Sequence, residues 1–391
     1  MTEQMTKWMS YYLFLTMLVS SVVSFEPAPY DLLMLMFILL GALFSLYKIT
    51  GEIVHPVVIA CIFLVSNLIS LFFTTEMIGS LIFTGITFYL ALTWIALVAF
   101  GQKAENLNLE LIMNGYLISA SLAAVIGTLA YFQVIPFSDE LLIFGRVKAF
   151  FKDPNVFGPF LVMPALFAIS MTEIRNITFL KKIIYFSSFF LLVIGIVLSF
   201  SRAAWGNFAI SLAIFLFILK REWIRKRIKT ILLLFFIGVP MFLYFIQTPM
   251  VEDVFENRLG YQGYDDSRFS TQKIVFTTGL SNPFGVGGGQ SDNVVQRSPH
   301  NLYARVFTEN GVLGMLSFLI LLLSSIVKSY KSYWYKENGG SMFHLIVFAS
   351  LIGLAFNSFF VDTLHWRHFW LLLALAWFPK VSLEGESTKV R

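Results

Sequence analysis

His300 stands between Pro299 and Asn301, just after the glycine-rich stretch Pro283-Phe-Gly-Val-Gly-Gly-Gly289 and just before an apolar run. An imidazole titrates near neutrality, so a histidine at such a boundary suits general-base work on a hydroxyl. The other reading of His300 is a structural residue at a helix start. Arg146, Arg202 and Arg268 occupy similar boundaries, in Gly145-Arg146, Ser199-Phe-Ser-Arg202 and Asp265-Asp-Ser-Arg268. A guanidinium is permanently charged and offers a planar donor fork that matches phosphate oxygens.

Four further pieces have less chemistry in them. Glycine-rich backbone such as Gly285-Val-Gly-Gly-Gly289 can approach an anion closely. It lacks the Lys-Ser/Thr of a nucleotide-binding loop, which leaves two readings, a turn beside a ligand or a purely structural turn. Arg305 and Glu309 are spaced i, i+4 on one helical face and read as a structural pair. Asp153-Pro-Asn155 reads as a helix entry. His365-Trp-Arg-His368 imitates a metal spacing, but Asp362 is the one carboxylate close by, so an interfacial anchor is the better reading.

The elements that must position these residues are apolar helices. Of 391 residues, 57% are hydrophobic and 13% charged, and the mean hydropathy is +0.76. A soluble domain carries about 25% charged residues, so this is an integral membrane protein. Continuous apolar runs, without period-two alternation, select helices over a barrel. The fold expected is all-α, with about twelve transmembrane helices at roughly 20 residues per span. The runs lie near 8–25, 30–48, 53–73, 77–99, 110–133, 155–173, 180–200, 202–219, 229–247, 303–327, 341–361 and 365–380. The join at 200–202 leaves barely enough chain for a turn. Residues 1–391 are read as one membrane domain with no soluble domain at either end. The lone Cys61 excludes a disulfide framework and a cysteine-based metal site. The first run follows a short polar start without an Ala-x-Ala-like cleavage site, so it is read as a retained helix.

The positive-inside rule orients the chain with both termini cytoplasmic, and Lys220–Lys229 is the strongest inside anchor. Ten basic residues then fall outside: Arg146, Lys148, Lys152, Arg202, Arg258, Arg268, Lys273, Arg297, Arg305 and Arg367. Topology alone disfavours them there, so they point to an anionic ligand at that face or to pairing with acids such as Asp265 and Asp266. The segment 248–302 is long for a membrane connection. Its aromatics and a helical run at 267–279 predict an ordered outer loop that carries part of the site.

Taken in order, Gly-Arg…Pro-Asn-x-x-Gly at 145–158, Ser-x-Ser-Arg-Ala-Ala at 199–204, Ser-Arg at 267–268, Asn-Pro-Phe-Gly-Val-Gly at 282–287 and His-Asn…Glu-x-Gly-x-x-Gly at 300–314 resemble the bacterial O-antigen ligase and polysaccharide polymerase superfamily. The likeness covers roughly 145–315, and the first five helices add hydropathy alone. It implies a metal-independent, cofactor-free glycosyltransferase in the cytoplasmic membrane, acting at its outer face. The donor it implies is an undecaprenyl-diphosphate-linked glycan. The acceptor is a sugar, on a lipid A core for a ligase or a growing glycan for a polymerase. By position, Arg202 and Arg268 match arginines that hold the diphosphate, and His300 matches the histidine that activates the acceptor hydroxyl. Arg146, Lys152, Asn155, Gly287 and Asn301 are secondary candidates for holding diphosphate or glycan. The residue chemistry agrees, since a diphosphate leaving group needs fixed positive charge where its own charge grows. No metal site and no nucleic-acid partner is expected. A flippase or transporter is the rival class, but it would carry ionisable residues near the bilayer midplane. Here they sit at span ends.

Overall fold

The computed structural model describes residues 3–104, 107–174, 177–218, 223–248, 251, 260, 264–295, 298–334 and 342–378. Each apolar run of the sequence is helical in it. The helices are α1 (Glu3–Leu18), α2 (Pro29–Leu43), α3 (Gly51–Ser70), α4 (Met77–Lys103), α5 (Leu109–Tyr131), α6 (Pro154–Phe160), α7 (Val162–Thr172), α8 (Phe179–Leu198) and α9 (Arg202–Phe217). They continue as α10 (Ile224–Leu233), α11 (Val239–Ile246), α12 (Tyr264–Ser281), α13 (Ser291–Val295), α14 (Leu302–Trp334), α15 (Met342–Asn357) and α16 (Arg367–Leu375). Seven helical stretches among the described residues are long and apolar enough to cross a membrane, and α2, α9 and α15 are shorter apolar helices. The protein is an all-α polytopic membrane protein.

Two runs are interrupted for backbone reasons. Pro159 and Pro164 lack an N–H, and the helix between 154 and 172 changes course at Leu161 into α6 and α7. Pro240 likewise removes a donor, and a wide π-type turn at 234–238 joins α10 to α11 just ahead of it. The reversal between α8 and α9 takes three residues. Phe200 adopts a left-handed φ of 44°, Ser199 Oγ donates to Ile196 O, and Ser201 caps α9 by accepting from Ala204 N. The short Ser-Phe-Ser link is thus sufficient.

The centre of the bundle is α7, buried from Val162 to Met171, with α16 buried from His368 to Leu375. By contrast α2, α8, α10 and α11 expose large apolar side chains such as Leu39, Phe179, Leu232 and Tyr244, as helices that meet lipid do.

Contacts sort the connections into two ends, as alternating spans require. At one end Val23 N donates to Phe150 O, Thr75 Oγ1 to Gln290 Oε1, and Leu302 N to Ser358 O. At the other, Lys48 N donates to Ala99 O and Gln102 Nε2 to Trp377 O. The described part of the Lys220–Lys229 run lies at this second end, with Arg225 and Lys229 exposed and Arg227 set apart from them. Arg227 is fully buried there, with Nε 3.0 Å from Glu173 Oε1 and its guanidinium 3.6 Å from the centre of the Phe215 ring. Lys220 and Arg221 lie outside the described residues.

Candidate active site

The first end gathers the polar sequence motifs, and a small hairpin begins the site. Leu142–Ile143 pairs antiparallel with Arg146–Val147, with Ile143 opposite Arg146. Its two turn residues, Phe144 and Gly145, both have positive φ, 49° and 71°, which a two-residue hairpin turn demands. Arg146 is thereby aimed at two neighbours. Its Nε donates to Ser199 O at 3.0 Å and its Nη2 to Asn155 Oδ1 at 2.9 Å. Asn155 is held in turn by Asp153, which caps α6 and accepts from Asn155 N at 2.6 Å. Gly158 lets α6 come close to α9, since a Cβ there would lie 2.7 Å from both Ser199 Oγ and Ala204 Cβ. Arg146, Asn155 and the Ser199–Arg202 turn form one corner, and Arg202 is the first residue of α9.

The C-terminal end of α15 joins this corner to His300. Along α9, Gly206 packs against Phe356 and Ser211 Oγ donates to Ala349 O. On the opposite flank Leu302 N donates to Ser358 O, while Asn301 Nδ2 donates to Phe359 O at 3.1 Å. Asn301 also starts α14, with Oδ1 accepting from Ala304 N at 3.0 Å. His300 is exposed, its φ is 47°, and its carbonyl accepts from Gln272 Nε2 at 3.2 Å. Few non-glycine residues adopt that backbone, and the Asn301 and Gln272 bonds hold it. Arg268 lies one turn before Gln272 on α12, so its stretch of helix runs beside His300. The Arg268 side chain, like Arg258 and Arg297 entirely, is outside the described residues.

The glycine-rich stretch sits elsewhere and is occupied by the protein itself. Helix α14 breaks at Gly311 (φ 69°, ψ −168°). Residues 283–287 fill the break: Val286 N donates to Thr308 O, Gly287 N to Glu309 O, and Val312 N to Pro283 O. The interlock is tight, because a Cβ on Gly311 would fall 2.1 Å from Pro283 O and one on Gly285 2.2 Å from Glu309 O. The Gly287 amide therefore points into α14.

Beneath this interlock Arg305 is buried among three carboxylates. Its Nη1 is 3.0 Å from Glu309, its Nε 2.9 Å from Asp362 and its Nη2 2.5 Å from Asp292. Ser291 also donates to Glu309. Burial raises the Asp292 carboxyl above the usual range, against the pull of Arg305. The i, i+4 pair is present, but Asp292 and Asp362 enlarge it into a knot that ties α13, α14 and the α15–α16 connection.

Lys152 pairs with Glu26 at 2.6 Å in the α1–α2 connection. One sequence reading changes. The 365–368 stretch is not an interfacial anchor, since Trp366 and His368 are buried at 8% and 6% exposure. Arg367 is held by Asp31 through two bonds of 2.7 and 2.6 Å. Sequence reasoning missed Asp31; the signal was a carboxylate opening one apolar run and an arginine opening another.

Residues 187–319 match a family model described as O-Antigen ligase. No curated protein matches the chain. The matched segment contains Arg202, Arg268 and His300 and begins after Arg146 and Asn155.

Proposed function

We propose, for a chain whose residues 187–319 match the O-antigen ligase family model, an en bloc transfer of a glycan from undecaprenyl diphosphate to a sugar hydroxyl. The reaction is of the ligase type, with a lipid A–core sugar as acceptor, and needs no metal. It takes place at the outer face of the cytoplasmic membrane, the end that carries Arg202 and His300.

One observation carries this reading. An apolar groove of about 400 Å³ runs between α8, α9 and α10–α11, and Ile196, Val197 and Trp205 bring it up to the Arg202 turn. A groove with almost no polar lining that ends at an arginine corner suits a molecule with a long hydrocarbon tail and a phosphate head. The tail lies in the groove, and Arg202, supported by Arg146 and Arg268, holds the diphosphate. His300 takes the proton of the acceptor hydroxyl as its oxygen attacks the anomeric carbon. The bond from that carbon to the diphosphate breaks, and the departing oxygen keeps the electron pair beside the guanidinium groups. Fixed cations stabilise the charge that develops there.

The interruption of α14 would suit a transporter only if it opened onto a cavity. Its amides and carbonyls are bonded to residues 283–287 instead.

The test separates donor binding from transfer, in chelator throughout. His300→Ala should retain the lipid-linked donor and lose transfer by about 10²–10⁴-fold, the usual weight of a general base. Normal turnover by that variant would remove His300 as the base. Loss of donor binding would move it to the diphosphate, and recovery of activity on adding Mg²⁺ would end metal independence.

A further inference from the structure

A second cavity, of about 210 Å³, opens at the same end between the α1–α2 connection, α5, α6 and the start of α16. Helix α6 separates it from the arginine corner: Phe160 lines the cavity, while Gly158 faces Ser199 and Ala204. Glu26 and Lys152, each about half exposed and 2.6 Å apart, mark its mouth. Tyr30, Trp366 and His368 line it and are buried.

The ionic groups here are matched in pairs. Lys152 meets Glu26, and Arg367 meets Asp31, which also accepts from Tyr89 Oη and Ala28 N. A ligand entering the cavity therefore meets balanced charge, a poor host for a phosphate. His365 Nε2 is 2.9 Å from Thr87 Oγ1. His368 Nε2, in contrast, is buried with no hydrogen-bond partner among the described residues. Such an atom costs free energy until something bonds to it. Aromatic walls, one unsatisfied ring nitrogen and a neutral rim together fit a ligand with an apolar C–H face and a hydroxyl edge.

We propose that this cavity holds one uncharged sugar residue of the glycan, as a subsite set apart from the bond-exchanging corner. The proposal takes from the transferase reading only the source of that sugar. The probes are the methyl glycosides of glucose, galactose and N-acetylglucosamine, and inorganic phosphate, added to the full chain in detergent and followed by saturation-transfer NMR. At least one glycoside should give a saturable signal that phosphate does not displace. His368→Ala should weaken it by about tenfold, the weight of one buried hydrogen bond. Because a buried position can disturb folding, the mouth supplies a second variant. Lys152→Cys, in a Cys61→Ser background that removes the exposed native thiol, should lose the signal after reaction with a bulky maleimide and keep it before. No saturable signal, displacement by phosphate, or a signal unchanged by the blocked mouth would each overturn the subsite. Glycan transfer measured on the same samples tells the two failures apart. Transfer without sugar binding removes the subsite alone, and binding blocked at the mouth without any transfer removes the enzyme reading alone.

Discussion

Arg305 and Arg146 stand at the same end of the bundle and are held in opposite ways. Arg305 is 3% exposed, with a carboxylate on each of its three nitrogens. Arg146 is partly exposed, and the two bonds that aim it end on neutral oxygens, Ser199 O and Asn155 Oδ1. Carboxylates cancel a guanidinium, whereas neutral acceptors orient it. On the proposed chemistry, Arg305 builds the fold while Arg146 and Arg202, at the corner Arg146 supports, meet an anion, and the glycine interlock above Arg305 belongs with the architecture.

The largest effect should come from the building side. Arg305→Ala would leave Glu309, Asp292 and Asp362 facing one another with no cation between them. Removing one partner of a buried pair costs about 3–5 kcal/mol, so little folded protein should reach the membrane. Abundance and thermal stability of the purified variant check this. A well-folded Arg305→Ala protein that has lost only transfer would reverse the comparison.

Arg202 should behave the other way. On the proposed chemistry Arg202→Ala folds normally and loses about 10²–10³-fold in transfer, as expected for removal of a donor to the leaving group. Arg202→Lys should recover little of that, because an ammonium cannot reproduce the bidentate fork. Full rescue by lysine would show that charge alone suffices there.

How far these roles can be read from the chain depends on the range of the interaction that sets them. The apolar runs are legible because span length is a local property, and so are Asp153-Pro-Asn155 and Ser199-Phe-Ser-Arg202, whose caps and turns bond within a few residues. The Arg305–Glu309 pair is legible for the same reason. Asp292 and Asp362 are not, since they reach Arg305 only once α13 and the α15–α16 connection have packed. Arg227 was hidden among neighbours of like charge, and only its packing against Glu173 and Phe215 distinguishes it from an anchor. Glu309-Asn-Gly-Val-Leu-Gly314 offers two glycines, and the sequence does not say which one takes the positive φ. Gly311 does, because Pro283 O leaves no room there for a Cβ.

The smallest effect is the sharpest probe of the comparison. Asn155→Asp keeps the shape of the side chain and its 2.9 Å reach to Arg146 Nη2, but turns a neutral acceptor into a carboxylate. If Arg146 only braced the hairpin against α6, the change would be neutral or stabilising, since a charge-assisted bond is stronger and a carboxylate at the first turn of α6 suits the helix dipole. If instead Arg146 lends its charge to a diphosphate beside Arg202, the new carboxylate cancels part of that charge and repels the donor. Donor affinity should then fall by about five- to tenfold, near 1–1.4 kcal/mol, while thermal stability holds or rises. Asn155→Ala supplies the reference, because it removes the acceptor without adding charge. The decisive result is the ranking of the two variants in a donor-binding titration. Weaker binding by Asp than by Ala marks Arg146 as a working cation, and weaker binding by Ala than by Asp marks it as a brace and returns it to the class of Arg305.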